Sequence, residues 1–114
     1  MKEIKAVVQP HKLARLRGAL LGVPGFNGMT VSRVEGMSRA GGPDGQAVPA
    51  RSIKDELTDY SGKILITMIA EDAAAAAIAA AIGEAASTGQ KGDGLVWIVP
   101  VESVLRIRDA KGGG

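Results

Sequence analysis

The chain has 114 residues, a net charge of +2, 46% hydrophobic and 3% aromatic residues, and no cysteine. That length makes one domain spanning 1–114, and the absence of cysteine excludes disulfides, thiol chemistry and thiolate metal sites. Scattered basic residues with so few aromatic platforms exclude nucleic-acid binding by stacking or by a basic stripe.

The single histidine, His11, builds no metal cluster without carboxylate partners, so no metal site is expected. Met1-Lys-Glu-Ile is not a signal peptide, and no apolar run reaches membrane-spanning length, so a cytoplasmic protein is expected.

Lys2 to Gln9 alternates as a strand, with Ile4, Ala6 and Val8 on one face. Pro10 suits a first helical turn. Leu13, Leu16, Leu20 and Val23 then recur at helical spacing, which predicts a helix over 11–22, stopped by Pro24-Gly25. Met29 to Glu35 alternates again as a second strand that Gly36 ends.

Residues 37–61 are the least regular part of the chain, and their first half, Arg39 to Arg51, has three glycines, two prolines and no apolar periodicity. A loop this long inside one domain is functional or a tolerated flexible insertion. Ser52 to Leu57 suits a turn of helix.

Lys63 to Ala70 reads as a third strand. Glu71-Asp72 places negative charge at a helix start, where the helix dipole favours it. Ala73 to Ala86 follows with high helix propensity and a stripe from Ile78 and Ile82. Leu95 to Val99 is a fourth strand closed by Pro100, and Val104 to Arg108 a short fifth. The tail 110–114 is expected to be disordered.

Between the last helix and the fourth strand lies Thr88-Gly-Gln-Lys-Gly-Asp-Gly94, with three glycines in seven residues. Such a loop can turn its backbone N–H groups toward an anion, or it can be a plain tight turn. Arg106 and Arg108, at i and i+2, would share one strand face.

The element order predicts an α+β, ferredoxin-like βαββαβ sandwich with a long loop between the second and third strands. Two helices cover only one sheet face. Yet the third and fourth strands carry aliphatic residues on both faces, Leu65 and Ile69 opposite Ile64 and Ile66 among them. Leaving the second face wet would forfeit several kcal/mol at roughly 25 cal/mol per Å² of apolar surface, so other copies of the chain are expected to cover it.

The chain resembles the PII signal-transduction family over nearly its whole length. Met1 to Leu13 looks like that family's first strand and helix, and Gly28-Met-Thr-Val-Ser-Arg-Val-Glu-Gly36 like its second strand. Thr88 to Ile98 is similar to its glycine-loop signature, and Val101 to Arg108 resembles its C-terminal strand. The resemblance implies a homotrimer that binds ATP, ADP or AMP as regulatory ligands in clefts between subunits, without a prosthetic group. It implies that Gly36, Met37, Ser38 and Arg39 line the nucleotide site at the base of the long loop. Gly28, Met29, Thr30 and Ile69 would surround the base, with Val7 nearby. Gly92, Asp93 and Gly94 would approach the phosphates through their backbone, and Lys63 would pair with phosphate or effector. Arg106 and Arg108 would bring phosphate charge from the neighbouring subunit.

Three departures stand out. Leu95 takes the place of a basic residue in the signature, with Lys91 close by as a substitute or as an ordinary solvated lysine. Ala40 takes the place of a glutamine that helps the nitrogen-sensing members bind magnesium beside 2-oxoglutarate. No tyrosine lies between Met37 and Asp59 for uridylylation, and Tyr60 sits too near the third strand to serve as a tip.

The expected function is that of a non-enzymatic PII-like signalling protein. Its nucleotide state would set residues 37–61 to bind or release a membrane transporter or regulatory protein. The departures lean toward inorganic-carbon-linked regulation, with a small anion such as bicarbonate at the loop base. Nitrogen-regulatory and metal-efflux-linked control are the alternatives. A small ferredoxin-like enzyme, with Asp93 the one acid in the cleft, and a structural trimer with a degenerate site are the readings from other classes.

Overall fold

Apolar residues at every second position of a strand must face one side of a sheet, and here that side is roofed by two helices. In the computed structural model, which describes residues 1–37 and 60–110, Ile4, Ala6 and Val8 are buried on β1 (Lys2–Val8). Ile64, Ile66, Met68 and Ala70 are buried on β3 (Tyr60–Ala70). They pack under Leu16 and Leu20 of α1 (Leu13–Leu21) and Ala75, Ile78, Ile82, Ala85 and Ala86 of α2 (Asp72–Ala86). The alanines of α2 let the helix lie close to the sheet, and its two isoleucines fill the remaining space with aliphatic volume.

With β2 (Thr30–Met37) and β4 (Gly94–Pro100), the chain forms an antiparallel sheet in the order β2-β3-β1-β4. The connectivity is βαββαβ, the expected ferredoxin-like α+β arrangement. Pro10 opens a short 3-10 turn, Pro10–Lys12, that leads into α1.

The register decides which side chains share the uncovered face. Thr30 lies opposite Thr67, Ser32 opposite Leu65 and Val34 opposite Lys63. Glu3 lies opposite Ile69 and Val99, Lys5 opposite Thr67 and Trp97, and Val7 opposite Leu65 and Leu95. This face is therefore partly aliphatic, as expected.

Three expectations need correction. The ladder runs to Met37↔Tyr60 and Gly36↔Ser61, so Met37, Tyr60 and Ser61 are strand residues, because backbone pairing continues past the end of the apolar alternation. The long connection thus spans 38–59; it and the expected turn of helix at 52–57 lie outside the described residues.

The fifth strand, Val104 to Arg108, is not formed. A strand needs a neighbour's N–H and C=O groups. The segment instead closes a local 3-10 turn, Ile107–Asp109, with N–H groups of Asp109 and Ala110 donating to the carbonyls of Arg106 and Ile107. Arg106 and Arg108 consequently do not share a strand face. Ala110, expected in the disordered tail, closes that turn; residues 111–114 lie outside the described residues.

Candidate functional site

Strand β3 crosses the domain, and the expected site residues gather at its two ends. Lys63 and Ile69 both face the uncovered side, six residues apart, which at a strand's rise is about 20 Å.

At the Lys63 end, the loop between α2 and β4 closes on itself. The Asp93 carboxylate accepts the N–H groups of Thr88 (2.7 Å) and Gly89 (2.9 Å), and the Thr88 hydroxyl donates to its other oxygen. The Gln90 N–H donates in turn to that hydroxyl at 3.3 Å. The Thr88 hydroxyl and N–H, with the Gly89 and Gln90 N–H groups, hold the Asp93 carboxyl below its ordinary range. Asp93 is thus an organiser of the loop.

Gly92 and Gly94 have φ of +87° and +105°, where a side chain would be strained. Gly94 is required twice over, since a Cβ there would sit 1.7 Å from the Val7 carbonyl oxygen.

Two donors from outside the loop converge on the Gly92 carbonyl, Lys63 Nζ at 2.7 Å and Gln9 Nε2 at 3.1 Å. Gly36 lies beside the Lys63 stem, where a Cβ would meet Lys63 Cγ at 3.4 Å, an ordinary contact. The ammonium thus reaches from β3 past the end of β1 to the glycine loop that leads into β4. A backbone with positive-φ glycines and an aimed ammonium can receive an anion. Leu95, 62% exposed, is the next residue along and adds no charge.

At the Ile69 end, a cavity of about 300 Å³ is lined by Gly28, Met29, Thr30, Ile69 and Arg106, together with Glu3, Asn27 and Thr67. Its floor is half apolar, from Met29 and Ile69. Its walls offer hydroxyls, an amide, a carboxylate and a guanidinium, a mixture suited to a small heterocyclic ligand. Arg106 also lines a neighbouring depression that carries Glu71, Glu102 and Asp109, so the residue lies between the two. Arg108 is largely exposed and lies 3.9 Å from Asp109.

The structure thus brings Gly28, Met29, Thr30, Ile69 and Arg106 together at one end. It brings Gly36, Lys63, Gly92, Asp93 and Gly94 together at the other, with Val7 on this second side. Met37 is exposed at the end of β2, and Ser38, Arg39 and Ala40 lie outside the described residues. Sequence reasoning missed Glu3 and Thr67, which reach the site through strand register, and Gln9 and Asn27, which reach it from just beyond β1 and just before β2.

The family model for nitrogen regulatory protein P-II matches residues 1–111. Among similar proteins, the nitrogen regulatory protein P-II of Azospirillum brasilense is 36% identical, covering 100% of this chain and 97% of its own. GlnK2, a nitrogen regulatory protein of Haloferax mediterranei, is also 36% identical, covering 99% of this chain and 88% of its own. A nitrogen fixation nifHD region glnB-like protein of Methanococcus maripaludis is 32% identical over 99% of this chain and 97% of its own.

Proposed function

The chain belongs to the nitrogen regulatory P-II family, and on that premise we propose that it is a nitrogen-control signalling protein that binds ATP, ADP or AMP between subunits of a trimer. The observation that carries this reading is the separation of the two half-sites on one strand. One end of β3 offers a glycine loop and Lys63, suited to phosphates. The other end offers a mixed polar and apolar cavity with Thr30 and Arg106, suited to a nucleoside. About 20 Å apart, they cannot hold one nucleotide within one chain. A second copy that lays its cavity against the first copy's glycine loop completes a cleft.

The uncovered sheet face supports the same assembly. Val7, Leu65, Ile69, Trp97 and Val99 lie on it and are only partly buried within one chain. Burying such a face against two neighbours would stabilise a trimer at roughly 25 cal/mol per Å² of apolar surface.

The relatives named above carry nitrogen-regulation or nitrogen-fixation names. That favours nitrogen control over the inorganic-carbon lean drawn from the sequence and over metal efflux. Ala40, where the family resemblance calls for a glutamine, makes the effector response the part in which this chain departs. In this reading nucleotide contacts at Gly36, Lys63 and the glycine loop set residues 38–59 for a transporter or regulatory protein partner.

Calorimetric titration with ATP, ADP and AMP, each with and without magnesium, 2-oxoglutarate or bicarbonate, tests this alongside a light-scattering mass. The expected result is a trimer with nucleotide binding at each subunit boundary. A trimer or monomer without heat from any nucleotide at millimolar concentration overturns it, and a response to bicarbonate alone restores the inorganic-carbon alternative.

A further inference from the structure

The cavity at the Ile69 end holds a carboxylate that nothing in the phosphate-binding reading explains. Glu3 lies on β1 opposite Ile69 on the uncovered face. It is the one acid lining the cavity among the described residues. Cβ atoms directly opposite on neighbouring strands are about 5 Å apart, so Glu3 stands beside the apolar floor and not at a distant rim. The next row of the sheet holds Thr67, with Thr30 directly opposite it.

A carboxylate next to a phosphate would repel it, so Glu3 belongs with the uncharged part of the ligand. Ionised, it offers two oxygens that only accept hydrogen bonds. A vicinal diol offers two O–H donors at matching separation, and acidic residues take ribose hydroxyls in this way in dinucleotide-binding folds. Threonine hydroxyls both donate and accept, and Thr30 and Thr67 therefore suit the mixed edge of a heterocycle. Building on the nucleotide reading above, we propose that Glu3 is a specificity-determining residue that accepts both hydroxyls of the ribose, while Thr30 and Thr67 face the base. The site thereby selects ribonucleotides over deoxyribonucleotides.

The test compares ATP with 2′,3′-dideoxy-ATP by calorimetry on the full-length protein and on Glu3→Gln, which keeps the shape and removes the charge. Hydrogen bonds to a charged acceptor are worth about tenfold or more in affinity. The wild type is expected to bind ATP at least about tenfold tighter than the dideoxy analogue. Glu3→Gln is expected to lose affinity for ATP alone, leaving the two ligands within about threefold. Its thermal unfolding and its mass in solution should match the wild type. Should Glu3→Gln not fold, Glu3→Asp, which keeps the charge but withdraws it by one methylene, is compared in the same way.

A wild type that binds both ligands equally overturns the role of Glu3 and leaves the nucleotide reading standing. So does a variant that keeps the wild-type ratio. Equal losses for ATP and the dideoxy analogue would place Glu3 against the base and overturn the ribose assignment. A wild type that binds neither ligand overturns the nucleotide reading, and this proposal with it.

Discussion

Lys63 Nζ donates a hydrogen bond of 2.7 Å to the carbonyl oxygen of Gly92, tying the strand at the far base of residues 38–59 to the glycine loop. Replacing Lys63 by alanine removes both this tie and an ammonium that a phosphate would meet. Affinity for ATP should fall by about tenfold or more, and affinity for AMP, with fewer phosphates to reach it, should fall less. Titration of both nucleotides checks this; equal losses would show that Lys63 acts on the loop alone.

Asp93 is expected to control the shape of its loop. Its pKa is lowered, chiefly by the Thr88 hydroxyl and N–H groups. The stabilisation is thus present above the ordinary aspartate pKa and is lost as pH falls through the lowered, folded-state value. In an NMR titration the Thr88 and Gly89 amide resonances should hold through mildly acidic pH and shift together only below the ordinary aspartate range. Asp93→Asn should displace them at neutral pH without unfolding the domain. A midpoint at or above the ordinary value contradicts the hydrogen-bonded carboxylate.

Gly94→Ala should be among the most damaging single changes in the chain. The new Cβ would lie 1.7 Å from the Val7 carbonyl oxygen at a φ of +105°, so β4 must part from β1 where the two strands begin to pair. A loss of roughly 3 kcal/mol or more is expected in urea unfolding. A stability within 1 kcal/mol or so of the wild type would mean that the strand end shifts freely.

Leu95 offers the opposite experiment. It is 62% exposed beside the glycine loop, so Leu95→Lys adds charge without emptying the core. ATP affinity should rise by about two- to fivefold, the range of an exposed ion pair, with stability unchanged. Unaltered affinity would place residue 95 away from the bound phosphates.

Leu65→Glu tests the assembly. Leu65 stands on the uncovered sheet face between Val7 and Ser32, and a carboxylate there would be buried against another copy at a cost of several kcal/mol. Light scattering should show monomers that retain the secondary structure of the wild type. A variant with the wild-type mass would mean that this face is not an interface.

Where a segment carries its own period, the sequence was enough. Ile4, Ala6 and Val8, or Ile78 and Ile82, mark strand and helix without help from the rest of the chain. Val104 to Arg108 alternates too, but alternation without a pairing strand does not make a ladder, and two local hydrogen bonds closed a turn instead. The loop was marked by its three glycines, whereas Lys63 entered only through the family resemblance; the structure brings the two within 2.7 Å. Gln9, which reaches Gly92 from 83 residues away, and Glu3 and Thr67, which join the cavity by register, became visible only once the strands were aligned. Two groups of site residues at opposite ends of β3 were likewise beyond any one-dimensional reading, since spacing along a chain does not say which copy completes a cleft.

That arrangement along β3 makes the protein a candidate for complementation between damaged subunits. In the proposed trimer every chain lends its Lys63 end to one cleft and its Arg106 end to another. A population with Lys63 removed and a population with Arg106 removed would each have every cleft weakened. Co-expressed, they would form mixed trimers in which the sound end of one chain meets the sound end of another, restoring one working cleft per trimer. Loss of either end alone would therefore behave as a recessive defect that an unlike defect can rescue.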